Sequence, residues 1–441
     1  MRLTSINIKG YRPFKNFQAQ LQPLEIIVGA NGAGKSSLFE FLKFLRDSLY
    51  YDIPAEIISG SIGQQIFHIP GLAKFEWDIE IDTGRPIGIR YLGELMGPVG
   101  RTQVSYERVE SSKPFNDKYK NPYIYMDIRG NKGVVQNQDT KKFTQQKIAL
   151  KRSNQLALST MKNPSLEALY DLREYIREWR FYSSFNIANQ KIRQSVPIEQ
   201  EPILHEDAGN LSSVLFSLMT EHRPAFDELQ QHLRSVIPGF KGLTVKARGG
   251  PGEVIAFWQE SGIDQELSLA DLSDGILRLI CWICLCVHPN PPSLICIDEP
   301  DQGVHPRTLP VLAALFEKAS ERTQILLATH SSYFLTQFDI SQIAVLRKEN
   351  GEAKFIKPGE SQVLIDMLND FGADEIEQLH RSDELERLPS KKIVEEIFKK
   401  YGKSYKESVD APKILANARY QDIAELCPQA LKPFVQFLEN L

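Results

Sequence analysis

No stretch of this chain is apolar for long enough to cross a bilayer. The most apolar run, Ile276 to Val287, is interrupted by Arg278, whereas a spanning helix needs about 20 apolar residues. No membrane insertion is expected. Cysteine is scarce, with five in 441 residues. That excludes a disulfide framework and points to a reducing, cytoplasmic setting. The first residues, Met1 to Ile8, alternate like a strand and carry no signal-peptide core. Neither sign of charge predominates, with 52 Lys and Arg against 56 Asp and Glu. The net value of −4 neither calls for nor forbids a nucleic-acid partner, because a local basic patch can sit on a near-neutral protein. There is no internal repeat, no low-complexity segment and no heptad pattern sustained over three or four repeats, so a long coiled coil is not expected. What remains is a globular composition, 42% hydrophobic and 24% charged, long enough for two to three domains.

One stretch organises the rest. Gly29, Ala30, Asn31, Gly32, Ala33, Gly34, Lys35, Ser36 and Ser37 carry the pattern G-x-x-x-x-G-K-S. It follows a short apolar run, Leu24 to Val28, of strand length. It precedes a helical pattern with Leu38, Phe41, Leu42, Leu45 and Leu49 on one side. This is the P-loop in its strand–loop–helix context. The glycines let the backbone wrap an anion with its N–H groups inward, and the helix start adds its positive dipole end. Lys35 can reach the outer phosphates, and the Ser36 hydroxyl can ligate Mg²⁺.

Read in order, residues 1–28 are strands, and Phe75 to Gln138 looks antiparallel, with strands near 75–81, 87–92, 103–109, 123–128 and 134–135. Residues 139–165 are polar and basic (Lys141, Lys142, Lys147, Lys151, Arg152), which reads as a solvated loop; a contact to nucleic-acid phosphates is the alternative. Leu166, Leu169, Leu172, Ile176 and Trp179 line a helix face, and more helices span about Asn210 to Val236. Leu243–Arg248 and Glu253–Trp258 form a hairpin. Then come a helix over 274–287, a strand over 293–297, a helix over about 308–320, a strand over 324–328, a short helix near Tyr333, and strands over 343–347 and 353–356. Residues 365–441 look helical and charged.

The second half of a nucleotide site lies in this later part. Leu294 to Asp298 is an apolar strand ending in paired carboxylates, the Walker B pattern. Asp298 can hold Mg²⁺ through water, and Glu299 can orient or deprotonate an attacking water. Leu272-Ser273-Asp274-Gly275 opens the 274–287 helix, with Ser273 as a natural N-cap. The strand 325–328 leads to His330, which can sense a γ-phosphate. Cys281, Cys284 and Cys286, with Cys296 nearby, invite a metal reading. Their apolar neighbours favour a buried core helix instead.

The order P-loop, Leu-Ser-Asp-Gly, Asp-Glu and His resembles the ABC-type ATPases, and within them the RecF/OLD/SMC group rather than transporter subunits. The likeness rests on Ile6 to Phe14 with the P-loop, on Ala208 to Leu215, on Asp298 to Pro306, and on Ala328 to Ser331. It covers about residues 1–350. The resemblance implies an α/β P-loop fold of ABC-head type, with a mixed sheet and an antiparallel β lobe. It further implies binding and hydrolysis of ATP with Mg²⁺ held by Ser36 and Asp298, and catalysis through Lys35, Glu299 and His330. In that family a second copy closes over the nucleotide, so Ser273, Asp274 and Gly275 are expected to meet ATP in trans, with His305 in the loop near the dimer interface. The signature departs from the transporter pattern, which has a second glycine where Asp274 stands and a glutamine afterwards. Gln64, Gln65 and Gln190 are candidates for the Q-loop glutamine. The expected organisation is an N-terminal lobe (1–150), a helical insertion (151–240), a C-terminal lobe (241–358) and a helical C-terminal extension (359–441). The expected partners are a second copy, DNA, and a separate nuclease or effector in genome defence or repair. A nuclease built into the chain is not expected, since Asp366, Asp370, Asp374 and Glu375 are scattered on helical ground. The alternatives are a RecF-like repair clamp without a nuclease partner and a transporter's nucleotide-binding subunit. The last is disfavoured by the roughly 240 residues between Ser36 and Ser273.

Overall fold

A computed structural model describes residues 1–53, 66–97, 101–137, 144–183, 185 and 190–358. The expected C-terminal extension at 359–441, including Asp366, Asp370, Asp374 and Glu375, lies outside the described residues, as do Gln64 and Gln65. The chain divides into two units. One comprises Met1–Phe334 with Ala344–Phe355, the other Leu335–Ile343 with Ile356–Leu441.

In chain order the elements begin with β1 (Arg2–Tyr11), β2 (Phe14–Gln20), β3 (Leu24–Val28) and α1 (Lys35–Asp47). There follow β4 (Lys74–Asp82), β5 (Ile89–Met96), β6 (Gln103–Ser111), β7 (Ile124–Arg129), β8 (Lys132–Asn137) and β9 (Thr144–Ala149). Next are α2 (Glu167–Arg177), β10 (Arg180–Ser183), β11 (Val196–Pro197), α3 (Leu211–Thr220), α4 (Arg223–Val236), β12 (Phe240–Ala247), β13 (Glu253–Glu260) and β14 (Leu267–Ser268). The last group is α5 (Asp274–Val287), β15 (Leu294–Asp298), α6 (Leu309–Ser320), β16 (Gln324–Ala328), α7 (Ser332–Leu335), β17 (Ile343–Glu349) and β18 (Glu352–Ile356).

Two large sheets carry the first unit. The first is an antiparallel sheet in the order β2-β1-β4-β5-β6-β7-β8-β9. The second runs β10-β15-β16-β3-β17-β18, and its strands β10, β15, β16 and β3 are mutually parallel. β3, β15 and β16 are near-continuous apolar runs because both faces of this sheet are covered. A single core joins the sheets through α1. Phe44 of that helix meets Phe75 edge-on at 5.5 Å and Trp77 at 6.3 Å, and Ile27, Cys296, Leu326 and Ala328 belong to the same cluster. α5 is buried nearly all round, as an apolar helix inside a protein must be. Trp282 there packs on Phe185 at 4.4 Å and on Phe316 at 6.3 Å. A third, small sheet joins β11, β13, β12 and β14.

Two expectations need correction. The basic span 139–165 is not simply a solvated loop. Thr144–Ala149 is the edge strand β9, paired to β8, and Leu156, Ala157 and Leu158 are buried in a 3-10 turn. That turn is pinned by the buried Glu107, whose carboxylate accepts from the Ala157 and Leu158 amides and from the Tyr91 hydroxyl. Nor is 151–240 purely helical, because β10 is an edge strand of the central sheet, with Ser183 paired to Asp298. Four residues directly after a helix carry too little alternation to read as a strand.

Candidate functional site

The parallel strands end together. Ser183 pairs with Asp298, Asp298 with Ala328, and Ala328 with Ile27. The P-loop leaves the carboxyl end of β3, Asp298 and Glu299 leave β15, and His330 leaves β16, so all three reach the same edge of the sheet. That edge is where parallel α/β sheets hold ligands. A cavity of about 400 Å³ opens there, lined by Asn31, Gly32, Gly34, Lys35, Ser36 and Ser37, by Asp298, Glu299 and His330, and on its far rim by Arg12, Pro13, His68, Ile69, Lys348 and Gly351.

The loop geometry follows from its glycines. Gly32 and Gly34 sit at φ 79° and 115°, in the left-handed region that side chains disfavour. Gly34 is the N-cap of α1, so the helix begins at Lys35 with its amides facing the cavity mouth. Lys35 is buried, and its Nζ donates to the Gly29 carbonyl at 2.5 Å and to the Ala30 carbonyl at 3.3 Å. Burial lowers its pKa, opposed by the nearby charges of Glu299 and Asp298.

At the start of α1, Ser36 Oγ lies 3.4 Å from Asp298 Oδ2, which comes from the end of β15. Two hard oxygen donors thus converge at the cavity wall. This donor set fits Mg²⁺, which takes one or two protein oxygens and completes its shell with water and phosphate. Burial raises the pKa of Asp298, against the Ser36 hydrogen bond and the positive charge of Lys35. Glu299 is held in an uncommon backbone conformation, φ 54°, with its amide donating to the Ala328 carbonyl at 2.8 Å. Such strain in a non-glycine residue clusters at functional sites. Its carboxylate lies 3.4 Å from His330 Nε2 and accepts from the His330 amide at 3.3 Å. Burial raises the Glu299 pKa, partly offset by that amide. Burial and Lys35 lower that of His330.

Ser273, Asp274 and Gly275 are not among the residues lining this cavity. They open α5, where Ser273 Oγ caps the Ile276 amide at 3.4 Å, and Ser273 and Asp274 are exposed. Gly275 packs against the loop after Glu299, where an added Cβ would stand 2.7 Å from the Gly303 carbonyl oxygen. That loop is tied back to β16 by Thr329 Oγ1 donating to Asp301 at 2.6 Å. His305 caps the following turn through Nδ1, which accepts from the Arg307 amide at 3.2 Å. Among the proposed Q-loop residues, Gln190 begins the turn Gln190–Arg193. The four cysteines Cys281, Cys284, Cys286 and Cys296 are buried in the core, and among the described residues no group of three or more His, Cys, Asp or Glu side chains is placed to hold a metal.

Sequence reasoning missed the basic far rim. Arg12 and His68 come from a turn and a loop that are remote in sequence. His68 Nδ1 lies 2.7 Å from the Arg12 carbonyl oxygen, and the Arg12 guanidinium pairs with Glu40 on α1. The only local signal was the Gly10-to-Pro13 turn, where Arg12 takes φ 46°.

Residues 1–92 match the family model described as "AAA ATPase domain". Residues 138–336 match the one described as "AAA domain, putative AbiEii toxin, Type IV TA system". The fold is similar to an SMC head bound to the C-winged helix domain of ScpA. Identity is 14%, coverage is 81% of this chain and 98% of that one, and the TM-score is 0.50. The chain has the fold of an ABC-type, SMC-like ATPase head. A second SMC head of the same fold carries an extended coiled coil and is bound to the C-terminal domain of ScpA derived from Pyrococcus furiosus. It is 11% identical, with 84% and 99% of the two chains covered and a TM-score of 0.50. No curated protein matches the sequence significantly. Among the described residues no helix of this ABC-type head is long and apolar enough to cross a membrane.

Proposed function

We propose that this head binds ATP with Mg²⁺ and hydrolyses it to ADP and phosphate. The observation that carries the reading is the convergence of Lys35, Ser36, Asp298, Glu299 and His330 on one cavity. The P-loop amides and Lys35 neutralise the phosphate oxygens. Ser36 and Asp298 hold the metal, which supplies electrostatic stabilisation of phosphate charge when bound. Glu299 orients the attacking water and takes its proton, a role suited to a carboxylate whose pKa is raised by burial. His330 beside it reports on the γ-phosphate.

Two copies close over the nucleotide, each giving Ser273 and Gly275 to the other's site. The exposure of the α5 start, away from its own chain's cavity, supports this arrangement. The output is DNA-directed, through a separate nuclease or effector in genome defence or repair. The AbiEii-type family model over 138–336 supports the defence reading, and the SMC heads bound to domains of ScpA support a protein partner. The deciding experiment measures phosphate release with and without DNA at fixed salt. Stimulation by DNA is expected; equal rates would remove DNA from the proposal.

A further inference from the structure

Asp274 stands at the first position of α5. A carboxylate there stabilises the helix start. In the two-copy arrangement it also places a negative charge where the helix has to approach a triphosphate. The structure contains a counterweight. The guanidinium of Arg193, at the end of the turn Gln190–Arg193, faces the whole signature loop. Its Nη1 donates to the carbonyls of Leu269 at 3.2 Å, Ala270 at 2.9 Å and Leu272 at 2.8 Å. Its Nη2 donates to Asp274 Oδ1 at 2.6 Å.

We propose that Arg193 is a positioning residue for the signature: it fixes the Leu269–Asp274 loop and neutralises Asp274, so that the α5 start can meet the partner copy's nucleotide. The three carbonyls gather round Nη1 while Nη2 holds the carboxylate, and the single nitrogen of a lysine cannot occupy both places. The loop is otherwise held locally, by Ser268 donating to Asp271 at 2.7 Å and by the Ser273 cap; neither contact meets Asp274. This inference rests on the two-copy reading proposed above.

The test uses the full chain in the Glu299→Gln background, with dimer mass read by light scattering against ATP concentration. Binding of a fluorescent ATP analogue to the single head is measured alongside. Arg193→Ala should leave analogue binding at the parent level, since Arg193 does not line the cavity. It should weaken the ATP-dependent dimer about ten- to a hundredfold, the range for losing a charge-assisted hydrogen bond. Asp274→Gly added to Arg193→Ala should recover several-fold of that loss, because the uncompensated carboxylate is gone; a purely structural arginine would give no such rescue. Arg193→Lys should fall between Arg193→Ala and the parent, keeping the charge but unable to hold the carbonyls and Asp274 at once. Parent-like dimerisation of Arg193→Ala, or no recovery in the double variant, overturns the inference. Should Arg193→Ala fail to fold, Arg193→Lys decides, and parent-like dimerisation there overturns it equally. If the Glu299→Gln parent itself stays monomeric with ATP, the two-copy reading has failed first.

Discussion

Glu299 and His330 face each other across the ends of neighbouring strands, with 3.4 Å between Oε1 and Nε2 and a second contact from the His330 amide. The carboxylate is therefore aimed by backbone as well as by side chain, and removing its charge need not move it. Glu299→Gln should keep nucleotide binding and lower turnover about 10²- to 10⁴-fold, the usual worth of a general base. It should also trap a dimer when ATP is present. Size-exclusion chromatography that gives the same mass with and without ATP would count against closure by two copies.

Lys35 is buried at the base of the loop and bonded to two of its carbonyls. Lys35→Ala should bring phosphate release to background. The folded state should be little affected, because removing the ammonium also removes its desolvation cost. Calorimetry and phosphate release measured together check both halves, and unchanged turnover would take the P-loop lysine out of the mechanism.

The start of α5 has no room for a methyl group against Gly303. Gly275→Ala should therefore push the signature helix away from the loop that follows Glu299, at a cost of about 1–3 kcal/mol. Dimerisation and turnover should fall while binding of ATP to a single head persists. Titration of a fluorescent nucleotide beside a turnover assay separates the two; equal loss of both would show general unfolding instead.

Glu107 offers a pH test in the antiparallel sheet. Burial pushes its carboxyl up to about 7, against its hydrogen bonds to the Leu158 and Ala157 amides and the Tyr91 hydroxyl. A carboxyl whose folded pKa is raised binds its proton more tightly in the folded state. It therefore favours folding at low pH and loses that contribution as pH climbs from about 4.5 to about 7. Relative to Glu107→Gln, the parent should lose about 3 kcal/mol of stability between the two ends of that window. Urea unfolding of both proteins at pH 5 and pH 8 reads the difference, and parallel pH profiles would refute it.

What could be read from the sequence was what is local. The P-loop, the Walker B strand and the helix 274–287 each announce themselves within fewer than twenty residues, by spacing and end signals. Strand β9 did not, because Thr144–Ala149 lies at the edge of its sheet with Gln146, Lys147 and Ala149 exposed. It is held by backbone pairing and needs no apolar alternation. Strand β10 is too short to show a period. Arg12, His68 and Arg193 reach their places by long-range folding, and a single basic side chain carries no sequence mark of the carbonyls it will meet.

Strand β3 lies between β16 and β17, so the P-loop strand is flanked on both sides by chain made some three hundred residues later. The Gln324 side chain ties β16 to β1 as well, accepting from the Leu3 amide and donating to the Leu3 carbonyl, each at 2.7 Å. During synthesis on the ribosome, β3 must wait for both neighbours before its sheet can close. Until then its apolar strand is exposed to misassembly, as is usual when pairing is so distant. Neither half expressed alone can complete the nucleotide edge, and a permuted chain that joins the two lobes early should refold faster than the natural order.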